Sequence, residues 1–210
     1  MKVLVAGFGA IVALTAVITT TLGVSNAVAQ IWKPYTFQGT EHFKYNLKSA
    51  SKGEEKTGSF TLDIEKIEGE KFKVNFSSKL GENESSSSTT ASADELPGKV
   101  MMSILMSGNE AGAVLGATLF TPMLGMMFMG VNDFEVGSGW SRTEDGKKMS
   151  FQIEAKETVG GFEGNRCVYK ENDQTRYLQV ISPEIPLPLR TEVNDEEGNR
   201  YSSELVEYRK

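Results

Sequence analysis

Residues 60–76 read FTLDIEKIEGEKFKVNF, and this stretch decides the fold. Phe60, Leu62 and Ile64 alternate with Thr61, Asp63 and Glu65, so an extended segment here has one greasy and one wet face, the period of a half-buried strand. Glu68-Gly69-Glu70 interrupts with turn-forming residues, and Phe72, Val74 and Phe76 then repeat the alternation. Two such runs around a short turn pair antiparallel, because a parallel return needs a crossover of about a dozen residues or more. Upstream, Phe43, Tyr45 and Leu47 alternate with polar residues before a turn that begins at Ser51-Lys52-Gly53, which makes a three-strand meander.

The same pattern resumes at residue 136. Trp140 leads into a turn at Glu144-Asp145-Gly146, and Met149, Phe151, Ile153 and Ala155 then alternate with Ser150, Gln152 and Glu154. Gly160-Gly161 and Gly164 bracket the next turn, residues 166–170 and 175–181 read as strands, and Asn172-Asp173 turns between them. Residues 182–188, SPEIPLP, hold three prolines that cannot donate to a central ladder, so they read as a linker or a sheet edge. A last hairpin joins residues 189–193 to 201–208. Residues 82–92 are Ser- and Thr-rich with no large apolar side chain and read as either a solvated edge strand or a loop. The sum is a mainly β (α+β) fold: one curved antiparallel sheet of about eight to ten strands, interrupted once by a helical insertion at 94–130.

That insertion is the least polar part of the domain. Residues 100–131 carry seven of the nine methionines, and Asn109 and Glu110 are the only strongly polar interruption. Asp94 reads as an N-cap with Pro97 in the first turn of a helix that runs to Met106 and ends at Ser107-Gly108. A second helix runs from near Asn109 to Phe120, and Thr121-Pro122 restarts the chain as a third piece over 122–129. Gly108, Gly112 and Gly116 fall four apart, which allows close backbone approach, while Val114, Leu115, Leu119 and Phe120 make the remaining faces apolar, as in a helix covered on both sides. Such short pieces do not make one spanning helix.

Met1 and Lys2 precede an apolar run over 3–24, followed by the small-x-small triplet Ala27-Val28-Ala29, the layout of a secretory signal peptide over 1–29. The expected mature chain is then one domain, 30–210, exported to a periplasm or the extracellular space; uncleaved, the run is long enough to act as an N-terminal anchor. The chain carries 22 basic and 28 acidic residues, and removing 1–29 takes away only Lys2, moving the net charge from −6 to −7. An acidic domain is a poor partner for nucleic acid. Cys167 is the only cysteine, so no disulfide forms within the chain, and it reads as a small buried hydrophobe.

Residues 181–190, ISPEIPLPLR, followed by an acidic turn and the strand over 201–208, resemble the end of the lipoprotein-localisation-factor (LolA/LolB-like) superfamily of periplasmic half-barrel domains. There, a strand ends in a Pro-rich step, the next begins with a Leu-Arg pair, and a Gly-containing turn returns a last strand. The resemblance is specific over about the last thirty residues and elsewhere lies in element order. It implies an unclosed barrel whose apolar concave face, capped by helices, binds acyl chains or another apolar ligand.

Catalytic chemistry finds no candidates. His42 is the only histidine and falls on the outer face of its strand with no activated nucleophile beside it. The glycines at 160, 161 and 164 connect strands and lead into no helix, so they make no phosphate loop. Asp195, Glu196 and Glu197 share a turn without the spacing of a recognised calcium loop, and Asn83-Glu84-Ser85 matches a glycosylation sequon to which we assign no role. Met123, Met126, Met127 and Met129 are soft enough for copper(I), but no His or Cys accompanies them, and thioethers also fill irregular apolar gaps. No catalytic residue, cofactor or metal site is therefore assigned. The expected function is non-enzymatic binding of a lipid or other apolar molecule, contacted by Met106, Leu115, Leu119, Met123 and Met127 from the helices and by Phe60, Leu62, Phe72, Phe151 and Ile153 from the sheet. The same residues also suit an ordinary core. The alternative is an envelope structural or assembly protein whose apolar helices dock on a partner or membrane.

Overall fold

The computed structural model describes residues 36–51, 53–105, 110–120 and 134–210. The leader, the segment Trp32-Lys33-Pro34-Tyr35, Met106, the break at Ser107-Gly108, and the third helical piece with Met123, Met126, Met127 and Met129 lie outside them.

The predicted alternation becomes one antiparallel sheet of ten strands: β1 (Glu41–Ser51), β2 (Glu54–Lys66), β3 (Lys71–Leu80), β4 (Asn83–Ser92), β5 (Gly139–Glu144), β6 (Lys147–Val159), β7 (Phe162–Glu171), β8 (Gln174–Ile181), β9 (Arg190–Asn194) and β10 (Arg200–Arg209). Their spatial order is β4-β3-β2-β1-β10-β9-β8-β7-β6-β5, so two meanders meet where β1 pairs with β10, and β4 and β5 are left as edges of an open, curved sheet. The Ser- and Thr-rich segment is thus an edge strand, paired to β3 along its whole length. Two-residue turns close the second meander: Asp145-Gly146, Gly160-Gly161 and Asn172-Asp173 all take positive φ, as a type I′ hairpin requires.

The insertion forms α1 (Leu96–Leu105), α2 (Glu110–Leu115) and a π-helical turn (Gly116–Phe120) that continues α2. Glu95, one residue after the expected cap, anchors α1: its carbonyl accepts from Lys99 N at 2.9 Å, and its carboxylate accepts from Ser92 N at 3.2 Å and Ser92 Oγ at 2.9 Å. The helices lie against β1, β3, β4 and β10, and the π-turn against β9 and β10. No helix among the described residues is long and apolar enough to cross a membrane.

Three local expectations change. Ala155 does not continue the inward row of Phe151 and Ile153: a bulge between Ile153 and Ala155 interrupts the alternation and leaves Ala155 exposed. Gly164 belongs to no turn. It lies inside β7, where an added Cβ would sit 2.9 Å from the Ile181 carbonyl oxygen and 3.0 Å from Leu189 Cδ1. Of the two readings of the Pro-rich segment, linker holds and edge does not, and the linker is a buried one. It connects the adjacent strands β8 and β9 and turns Ile185, Leu187 and Leu189 fully into the core, and the Pro188 carbonyl accepts the Tyr45 hydroxyl at 2.9 Å.

Candidate functional site

Because every strand pair is in antiparallel register, inward residues line up in rows across the concave face. Over β1 to β3 those rows are aromatic and aliphatic: Phe43, Tyr45, Leu47, Phe60, Leu62 and Phe76, with Tyr45, Phe60 and Phe76 joined ring to ring at 5.8 and 5.4 Å. The helices press Leu96, Val100, Ile104, Ala111, Val114, Leu115 and Leu119 into the same cluster, each at most 2% exposed. An ion pair closes the seam where α2 begins, Lys56 Nζ donating to Glu110 Oε2 at 2.8 Å, and this hydrogen bond holds the Lys56 ammonium above its usual range.

Across β5 to β8 the end row differs. Trp140 faces Phe151, then Tyr169, Tyr177, Val193 and Tyr201, one residue per strand from β5 to β10. Trp140 and Tyr169 lie 6.3 Å apart and Tyr169 and Tyr177 5.7 Å, and these three rings and Tyr201 are only partly buried. The Arg142 guanidinium sits 5.3 Å from the Trp140 ring centre, and Glu171 pairs with Lys147 at 3.1 Å and Arg176 at 3.4 Å along the rim. Burial, with the nearby Glu171 charge, raises the Tyr169 and Tyr177 hydroxyls above their ordinary pKa, so both stay neutral donors.

One inward position further along each strand lies a row that the sequence reading missed. Leu47 faces Ser203, then Thr191, Gln179, Cys167 and Ile153. Gln179 Nε2 donates to Thr191 Oγ1 at 3.3 Å, whereas the Ser203 hydroxyl, although buried, has no hydrogen-bond partner among the described residues. Thr118, in the π-turn over β9 and β10, is 0% exposed with its hydroxyl likewise unpartnered. The signal was there in the alternation: Gln179 falls between inward Tyr177 and Ile181, and Thr191 two residues before inward Val193.

The predicted contacts Leu115, Leu119, Phe60, Leu62, Phe72, Phe151 and Ile153 all fall in the one buried cluster, at most 7% exposed. Met106, Met123 and Met127 lie outside the described residues, as do the methionines of the copper(I) reading. Among the described residues no three His, Cys, Asp or Glu side chains converge as metal ligands. Asp195 instead holds its own turn, accepting from Asn199 N and Nδ2 at 2.8 Å each, bonds that lower its carboxyl pKa. His42 stands 2.6 Å from Asp63, and Cys167 is buried, its thiol pushed up to about 12 by desolvation. A groove of about 760 Å³ begins at Val193 and Tyr201 of the end row and runs past Lys48, Arg176 and Arg200 and past Glu55, Glu192 and Asp195, three charges of each sign.

These features define a class: an open antiparallel half-barrel with short helices seated on its concave face. No protein-family model and no curated protein matches the sequence. Solved structures share the architecture at a distance. MucB in its complex with MucA from Pseudomonas aeruginosa is 10% identical over 80% of this chain, with a TM-score of 0.38, and this chain spans only 51% of that one. A β-barrel-like protein of the DUF1849 domain from Brucella abortus is 10% identical, covers 85% of this chain and 99% of its own, and has a TM-score of 0.38. A LolA superfamily protein from Nitrosomonas europaea is 8% identical over 86% of this chain and 89% of that chain, with a TM-score of 0.26. The resemblance read from the closing segment is thus found as a distant likeness of fold.

Proposed function

We propose that this chain is an exported, non-enzymatic binding protein that holds a lipid or similar apolar molecule on the concave face of its sheet. The observation that carries the reading is the end row from Trp140 to Tyr201, apolar and aromatic across six strands yet half-open where β5 to β8 lie beyond the principal contacts of α1 and α2. Partly exposed aromatic rows in a concave setting are what ligand sites are made of. Each methylene buried there gains about 0.8 kcal/mol, so a chain of roughly sixteen carbons gains on the order of 12 kcal/mol before ordering costs. Phe151 and Ile153 would meet the ligand from the sheet; Phe60, Leu62, Leu115 and Leu119 support it from the packed half.

The docking alternative has less to stand on, because the inward faces of α1 and α2 are already spent on the core. Native mass spectrometry of the protein purified from its own envelope tests the proposal: a co-purifying lipid is expected, displaced by fluorescent fatty acid. An empty protein that also ignores the fluorescent probe would sink it.

A further inference from the structure

The concave face carries polar groups that a purely hydrocarbon cargo would leave idle. We infer that Ser203, Thr191 and Thr118 form a neutral donor cluster that binds a carbonyl oxygen of the cargo, so that the preferred ligand is an uncharged acyl ester or amide rather than a bare hydrocarbon. The inference rests on the apolar-binding proposal and assigns the ligand's polar end.

Three observations meet here. Ser203 and Thr191 are cross-strand neighbours on the inward face, 1% and 0% exposed. Among the described residues the Ser203 hydroxyl has no hydrogen-bond partner, and neither has that of Thr118 in the π-turn that packs on the same two strands. Thr191 Oγ1 already accepts the Gln179 amide, so what it has left to give is its own O–H. A buried hydroxyl without a partner costs free energy on folding, and two on elements packed together are an unusual expense unless something completes them. A single-turn π-helix is moreover a form that recurs at functional sites.

Chemistry selects the ligand group. The cluster offers O–H donors, and β8, β9 and β10 place only uncharged side chains inward, from Tyr177, Gln179 and Ile181 to Thr191, Val193 and Tyr201. No cation is there to neutralise a carboxylate, which disfavours a free fatty acid, while a neutral carbonyl accepts hydrogen bonds without one. The strip lies one inward position from the aromatic row, so a chain lying along the Tyr177 and Tyr169 rings brings its carbonyl end to the hydroxyls as the π-turn shifts aside.

The test is competition against a pyrenyl-alkane reporter bound to the full chain, using hexadecane and methyl hexadecanoate, with thermal unfolding followed in parallel. Wild-type protein is expected to take the ester about tenfold more tightly than the hydrocarbon, the worth of one to two neutral hydrogen bonds. Ser203→Ala and Thr118→Val should bring that ratio toward one, while Thr191→Ser, which keeps the hydroxyl, preserves it. Equal affinity of the two compounds for wild-type protein overturns the donor cluster but leaves apolar binding standing. A preference that survives both Ser203→Ala and Thr118→Val in stably folded protein overturns the assignment to these residues. Failure of the reporter and both compounds to bind overturns the proposed function and this inference with it.

Discussion

Strands β1 to β3 and strands β5 to β8 follow the same alternation, yet they bury it to different depths. Inward Phe43, Tyr45, Phe60 and Leu62 are 0% exposed beneath a cluster that α1 and α2 complete, while inward Trp140, Tyr169 and Tyr177 remain half-open beside a rim of ion pairs. The strand pattern is therefore not what separates core from surface. What lies on the strands decides it: Val114, Leu115 and Leu119 dry one half, and among the described residues the principal contacts of the helices and the π-turn fall on β1, β3, β4, β9 and β10 and leave the aromatic end row of β5 to β8 open. The open end row keeps area that a ligand of the proposed kind would cover without displacing α1 or α2, whereas the enclosed positions are reached only if a covering element moves.

The largest expected effect breaks the first half. Phe60→Ala or Leu115→Ala should lower unfolding free energy by about 3–5 kcal/mol in urea denaturation, since each empties a fully buried volume. Trp140→Ala or Tyr177→Ala should cost about 1 kcal/mol or less and act on apolar-ligand affinity instead. Equal losses in the two halves would erase the contrast. Gly58→Ala comes next, at about 1–3 kcal/mol, because a Cβ there collides with the Lys79 carbonyl across the β2–β3 pair, and strand separation cannot widen without breaking the ladder.

A smaller effect is pH-linked. Glu41 begins β1 on the inward face, 2% exposed, with Oε2 unpartnered and Oε1 accepting the Tyr208 hydroxyl at 3.0 Å. Desolvation raises its pKa against the weaker opposing pulls of Tyr208, the Gln38 backbone and Lys210. The folded state then holds the proton more tightly than the unfolded one, so this group's contribution to stability is lost as pH rises from the unfolded toward the folded pKa. Glu41→Gln keeps an acceptor for Tyr208, and should raise stability at neutral pH by on the order of 1 kcal/mol and flatten the stability profile in the acid range. A variant whose profile retains the wild-type slope there would show that Glu41 is not its source.

How far the sequence carried this picture follows the same division. In β1 to β3 a strict alternation of large apolar and charged residues made both the strands and their inward faces legible, from Phe43 through Phe76. The break at Thr121-Pro122 and the methionines beyond it fall outside the described residues, but the helix carrying Leu115 and Leu119 reads as apolar nearly all round, and both residues, candidate ligand contacts in the sequence, lie in the buried cluster. In β6 the reading slipped at Ala155, since a bulge inserts a residue with no signature in composition. The proline segment was legible as a linker but not as a buried one, because proline forbids a central ladder yet says nothing about whether a connection between neighbouring strands buries Ile185 and Leu187. The polar strip was passed over for a different reason: a Gln or Thr at an inward position looks like noise in a hydrophobic pattern, and only the register shows that Gln179, Thr191 and Ser203 stand side by side.

The smallest expected effect in free energy is the sharpest probe of the contrast. Cys167 faces inward between Ile153 and Gln179, 2% exposed, and its thiol is pushed up to about 12 by burial, so the native protein presents almost no thiolate to a labelling reagent at pH 8. Reaction must pass through an opened form in which the thiol titrates near its ordinary value of about 8.5, so the labelling rate should climb with pH through that range. If the β5 to β8 half opens by itself, the opening free energy read from labelling falls below that of global unfolding, and Leu115→Ala, which weakens the other half, leaves it nearly unchanged. Labelling that tracks global stability variant by variant would mean the two halves rise and fall as one unit, and the contrast between them would be one of exposure alone. Addition of an apolar ligand discriminates further. A molecule lying along the aromatic row covers the neighbouring inward position, and should slow Cys167 labelling by the factor 1 + [L]/Kd expected when only the closed form binds.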